Sequence, residues 1–192
     1  MNEENGRNLA TEKHVKKAAV HSGKECAYLA AFVALLIAAQ LALSFVPGVE
    51  IVTVLFVAYS LAMGARRSMV AATAFSLLRG FVFGFFPTVL LLYLIYFNLL
   101  ALCFGLIGRK WQVGVKTLPF LIAIACFCTV FFTMIDNLIT PLWYAYSAEA
   151  ARAYFLASLP FIIPQVICTA LSVFFLLLPL NKAFSLVKKQ LF

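Results

Sequence analysis

Charge is what this sequence has least of. Asp, Glu, Lys and Arg make up 11% of its 192 residues, whereas a water-soluble domain carries about a quarter. So little charge cannot clothe a water-facing surface. Histidine is scarcer still, with only His14 and His21, both near the N-terminus. There is no HExxH, no GxSxG and no phosphate-cradling loop, and no His, Cys or carboxylate set has metal-ligand spacing. Enzymatic activity, ATP hydrolysis, a bound metal and a cofactor are therefore not expected, and no catalytic residue is assigned. An intramembrane aspartyl enzyme would need two facing carboxylates, for which Glu50 and Asp136 are a thin basis. Cys26, Cys103, Cys126, Cys128 and Cys168 do not suggest a disulfide framework, and all but Cys26 lie within apolar segments. Cys126 and Cys128, two residues apart, point about 200° from each other on a helix and cannot clasp one metal from one face. They read as small buried hydrophobes. The first 24 residues lack an apolar stretch ahead of a small-residue cleavage site, so residues 1–24 read as a flexible basic cytoplasmic tail.

What is present is apolar. Hydrophobic residues make up 65% of the chain, and its mean hydropathy is +1.02. Runs of about 20 apolar residues, enough to cross a bilayer, recur along it. The first extends from Ala27 to Val46 and stops at Pro47-Gly48. A short second run goes from Glu50 to Gly64, followed by Arg66 and Arg67 in a tight turn. The third covers Ser68 to Phe85. Pro87 opens the fourth, which continues to Gly108 and a basic loop with Arg109, Lys110, Trp111 and Lys116. The fifth covers Leu118 to Thr140. An outer loop follows from Pro141 to Arg152, and the sixth run, Tyr154 to Leu180, contains Pro160 and Pro164. The expectation is an all-α integral membrane protein: a six-transmembrane-helix bundle over residues 25–192.

The net charge is +8, but its distribution says more than its size. With the N-terminus inside, every Lys and Arg except Arg79 and Arg152 falls in a cytoplasmic tail or loop. By the positive-inside rule both termini face the cytoplasm, an N-in/C-in layout. No contiguous basic surface interleaved with stacking aromatics suggests nucleic acid.

Two sets of residues stand out. Ala30, Ala34, Ala38 and Ala42 recur at a four-residue spacing and form a small-residue stripe on the first helix. Such a stripe lets helices approach closely in lipid, either within the same bundle or against another membrane subunit. The second set is polar. An arginine at a helix centre costs ~2.5–3.5 kcal/mol on the insertion scale, so Arg79 should pair or face a wet cavity. Glu50 and Asp136 are the carboxylates in range of it. Gln40, Tyr93, Tyr96 and Asn137 map to the outer halves of their helices, beneath Trp143, Tyr144 and Tyr146, while Asn98 and Gln165 lie deeper and read as helix-to-helix hydrogen bonds. A small-molecule pocket has this character, with apolar walls and a few placed polar groups. An interfacial aromatic belt over an Arg–carboxylate pair would use the same residues.

The stretch AFVALLIAAQLALSFVPGVEIVTVLFVAYSLAMGARRSMVAATAFSLLRGFVFGFF combines the alanine ladder with a Pro-x-x-Glu junction (Pro47 to Glu50). Its short second helix ends in Gly-x-Arg-Arg, and a Gly-Phe-x-x-Gly-Phe segment follows at Gly80 to Phe85. In this succession the chain resembles the substrate-binding S components of energy-coupling factor (ECF) transporters, most closely over residues 30 to 110. The resemblance implies a bacterial inner-membrane protein that captures a small water-soluble vitamin or micronutrient from outside. Delivery would follow docking, through Ala30, Ala34, Ala38 and Ala42, to a membrane scaffold subunit coupled to two cytoplasmic ATPases. The substrate face it implies, combined with the depth argument, comprises Glu50, Arg79, Tyr93, Asp136, Asn137, Trp143 and Tyr144. Gly48 stands where the family often has Asn, and an arginine within the third helix is not a general family feature, which leaves Arg79 between substrate contact and ion pair. The alternative is a membrane scaffold or assembly protein without a transported solute.

Overall fold

In the computed structural model the described residues are 2–43, 51–111 and 113–191, with side chains from residue 23 to residue 190. They form six helices and no strand: α1 (Asn2–Leu43), α2 (Ile51–Met63), α3 (Ala65–Phe83), α4 (Pro87–Lys110), α5 (Leu118–Trp143) and α6 (Ala148–Leu191). Four segments are long and apolar enough to cross a membrane: Gly23–Leu43, Pro87–Lys110, Leu118–Trp143 and Ala148–Gln190. Their outward faces are as apolar as a core, with Phe127, Leu138, Phe161, Ile163 and Phe175 among the exposed side chains. That surface is stable only against hydrocarbon. The chain is an α-helical membrane protein.

The short second run has a place the sequence did not suggest. α2 is the centre of the bundle, packed against α1, α3, α4 and α6. Every residue from Val52 to Met63 is buried. A helix that is apolar all round has no preferred outward face and belongs inside. At a 1.5 Å rise it spans about 20 Å, short of the bilayer core. Two aromatic clusters grip it. Tyr59 stacks on Phe32 of α1 with ring centroids 3.8 Å apart, and both meet Phe184 of α6 edge-on. One turn earlier, Phe56 contacts Phe75 of α3 and Phe97 of α4. Such pairs contribute about 0.5–1.5 kcal/mol each beyond area burial.

Two glycines set how closely α4 approaches. A Cβ on Gly108 would lie 2.4 Å from the Leu61 carbonyl oxygen, and one on Gly105 2.4 Å from the Ala65 backbone. No other residue type fits at either position. Gly64, with φ +87°, makes the joint between α2 and α3. At the same joint Lys188 of α6 donates to the Ala62 carbonyl at 2.7 Å, a cation satisfying a helix C-terminus.

Several boundaries differ from the sequence expectation. Arg66 and Arg67 are not in a turn but in the first turn of α3, where Arg67 pairs with Glu25 of α1. The long outer loop is also shorter than expected: α5 continues through Pro141 to Trp143, and Glu149 and Arg152 already belong to α6. Near lipid a helix keeps its backbone groups satisfied even at a proline, because leaving it would expose them. α6 likewise absorbs Pro160, Pro164 and Pro179. At 44 residues it measures about 66 Å and must extend beyond the hydrocarbon core.

Candidate functional site

α5 and α6 form an antiparallel pair whose facing sides are polar. Thr129 and Thr169 share a buried hydroxyl hydrogen bond of 3.0 Å. One turn further along α5, the Thr133 hydroxyl donates to Gln165 Oε1 at 3.4 Å. Beyond it, Asn137 donates to the Ser158 hydroxyl at 2.8 Å. Asp136 accepts from Tyr154 on one carboxylate oxygen and from Thr140 on the other, both at 2.8 Å. The positions recur at steps of three and four on each helix, so both series lie on single faces.

The seam opens into a cleft of about 320 Å³, walled by Phe132, Phe161 and Ala157 and by the polar groups of Thr133, Asp136, Tyr154, Ser158 and Gln165. Each Asp136 oxygen keeps a free lone pair after its hydroxyl bond, since a carboxylate has about four acceptor sites. Gln165 offers an amide N–H₂ group, and Phe132 and Phe161 offer flat apolar faces. The arrangement suits a small polar molecule with hydrogen-bond donors and a flat body.

A second polar group lies across the bundle. The Arg79 guanidinium of α3 sits 4.1 Å from the Tyr93 ring centroid and 5.1 Å from that of Phe83. Tyr93 of α4 in turn accepts a hydrogen bond of 3.0 Å from Gln40 of α1. Among the described residues no carboxylate lies within ion-pair distance of Arg79, and its Nε is buried without a hydrogen-bond partner. Asp136 is therefore not the counter-charge of Arg79. Phe132 stands between the two groups, in ring contact with Tyr93 and Tyr96 while also lining the cleft. Beside Arg79 a narrow crevice is lined by Ser76, Gly80, Gly84 and Tyr93.

Of the residues singled out in the sequence, Arg79 and Tyr93 come together on one side, and Asp136 and Asn137 on the other. Trp143 and Tyr144 end α5 with exposed rings. Tyr144 stacks on Tyr146, which meets Tyr154 edge-on, so the aromatic end of α5 reaches the cleft through two rings. Glu50 lies outside the described residues. Asn98 bonds Thr73 of the neighbouring α3, as a helix-to-helix contact would. Sequence reasoning missed Phe132, Tyr154 and Ser158 and placed Gln165 only as a contact between helices. The spacing of Tyr154, Ser158, Phe161 and Gln165 was the signal that marks them as one face.

The alanine stripe faces outward. Ala30, Ala34, Ala38 and Ala42 are all exposed, while α1 packs inward through Phe32, Val33 and Leu36. The small side chains are not spent on packing within the described bundle. No family model, curated protein or solved structure matches the chain.

Proposed function

We propose that this protein is the solute-binding membrane subunit of an importer of the energy-coupling factor type. It would take a small water-soluble vitamin or micronutrient from outside a bacterial cell membrane. The observation that carries this reading is the polar-walled cleft of about 320 Å³ between the outer halves of α5 and α6, in a chain that otherwise excludes polar groups from lipid. In this reading the chain crosses the membrane six times with both ends inside, and Asp136 and Gln165 bind the solute's donors and acceptors while Phe132 and Phe161 hold its body. Arg79, Tyr93, Asn137, Trp143 and Tyr144 complete the outward-facing region, and Glu50 is the further candidate that the resemblance implies. The exposed face of Ala30, Ala34, Ala38 and Ala42 supports the second half of the reading: docking to a membrane scaffold subunit that is coupled to two cytoplasmic ATPases.

Mass spectrometry of small molecules retained through purification tests the first half. One micronutrient-class compound, lost in Asp136→Asn and Tyr154→Phe with folding intact, is the expected result. No retained compound, and no thermal stabilisation by any member of a vitamin panel, would leave the scaffold reading in its place. Ala34→Trp and Ala38→Trp test docking: uptake falls to background while solute binding stays at the wild-type level. Normal uptake in both variants removes the docking face.

A further inference from the structure

The end of the bundle opposite the candidate solute cleft carries a second pair of cavities. The smaller, about 310 Å³, lies where the joint between α2 and α3 meets α4, and Arg66, Arg109 and Lys188 line it. The larger, about 510 Å³, lies between α2, the chain after α4, and α6, and Lys188, Lys189 and Asn181 line it. Leu61, Ala62, Gly108 and Lys188 belong to both, so these are two lobes of one cleft on either side of the Lys188 side chain.

Among the described residues no carboxylate lines either lobe. Among the described residues the one ion pair is that of Arg67 with Glu25, which leaves Arg66, Arg109 and Lys189 without a counter-charge. In the wall of the larger lobe, Asn181 Oδ1 is buried with no hydrogen-bond partner, an acceptor lacking a donor. Apart from Ser185 the remaining wall is apolar, and Leu106 and Trp111 are also exposed on the outer surface of the bundle. Cations and exposed apolar side chains therefore border one cleft, the pairing that a basic lipid site between membrane helices presents.

We propose that this cleft binds an anionic phospholipid. The phosphate lies among Arg66, Arg109 and Lys189, a headgroup hydroxyl donates to Asn181 Oδ1, and the upper acyl chain runs along Leu106 and Trp111. A free phosphate would meet the cations but leave the apolar wall and most of the volume unfilled. A lipid meets both, as in other basic pockets between membrane helices. The assignment does not depend on the solute reading.

Native mass spectrometry of the purified full chain tests it, with equimolar dioleoyl phosphatidylglycerol and dioleoyl phosphatidylcholine as probes. The wild type retains phosphatidylglycerol about tenfold over phosphatidylcholine, and Arg66→Gln, Arg109→Gln and Lys189→Gln each lower that preference by about fivefold. Lys110→Gln with Lys116→Gln and Lys182→Gln removes three cations from the same end without touching the cleft and leaves the preference unchanged. Asn181→Leu, which alters no charge, reduces retention of phosphatidylglycerol but not of dioleoyl phosphatidic acid. Millimolar inorganic phosphate does not displace the lipid. Equal retention of the two probe lipids, equal loss in the off-site triple variant, or displacement by phosphate would each overturn the proposal. If a cleft variant fails to fold, the remaining single variants and the wild-type preference still decide it.

Discussion

A methyl group added to Gly108 of α4 would sit 2.4 Å from the carbonyl oxygen of Leu61 in α2. The close approach of these two helices is therefore written into one hydrogen atom. Gly108→Ala should force α4 away from α2 and lower stability by about 1–3 kcal/mol, the usual cost of overpacking. Gly114→Ala is the control, because a Cβ there meets nothing within 4 Å. Thermal unfolding in detergent should separate the two clearly, and equal midpoints would mean that the joint is looser than described.

Lys188 caps the carbonyl end of α2 where that helix meets the basic cleft. Lys188→Met removes the bond to Ala62 and should cost about 1–2 kcal/mol. Lys189→Met, one residue on, makes no such bond and should leave the unfolding midpoint unchanged.

The hydroxyl pair of Thr129 and Thr169 should behave as a unit. Thr129→Val strands the Thr169 hydroxyl in a buried site and should cost about 1 kcal/mol, whereas Thr169→Val leaves Thr129 its bond to the Ala125 carbonyl and should cost less. The double variant should cost less than the two singles together. Strict additivity in a double-mutant cycle would show that the hydroxyls do not depend on each other.

Arg79, four residues from the end of α3, has two aromatic rings for company and no carboxylate within ion-pair distance among the described residues. Stacking on a ring returns about 0.5–2 kcal/mol, less than the ~2.5–3.5 kcal/mol insertion cost. Arg79→Met should thus preserve or raise the melting temperature of the solute-free protein, whereas Tyr93→Ala should lower it. A marked loss of stability in Arg79→Met would reveal a counter-charge.

Much of the architecture could be read directly from the residues. The apolar runs located the helices, and Gly64 and Pro87 marked where they change direction. The central position of α2 was less visible, since an all-apolar run of this length fits an oblique span as well as a core. The outer loop was misjudged because Pro141 and its aromatic neighbours signal a break in water, while lipid favours continuing the helix. At the candidate site, opposite charges invited a pairing of Arg79 with Glu50 or Asp136, and the structure leaves Asp136 beyond ion-pair distance of it. Asp136 instead takes hydroxyl donors from Tyr154 and Thr140, neighbours that only the three- and four-residue steps along α5 and α6 could have disclosed.

The enclosure of α2 also bears on how the protein is made. The ribosome releases α2 long before α6, so for most of synthesis the innermost helix lacks one of its walls and the Ala62 carbonyl lacks its lysine. A chain cut short ahead of α6 exposes that unfinished interior to membrane proteases. Docking of α6 thus closes the wall around α2.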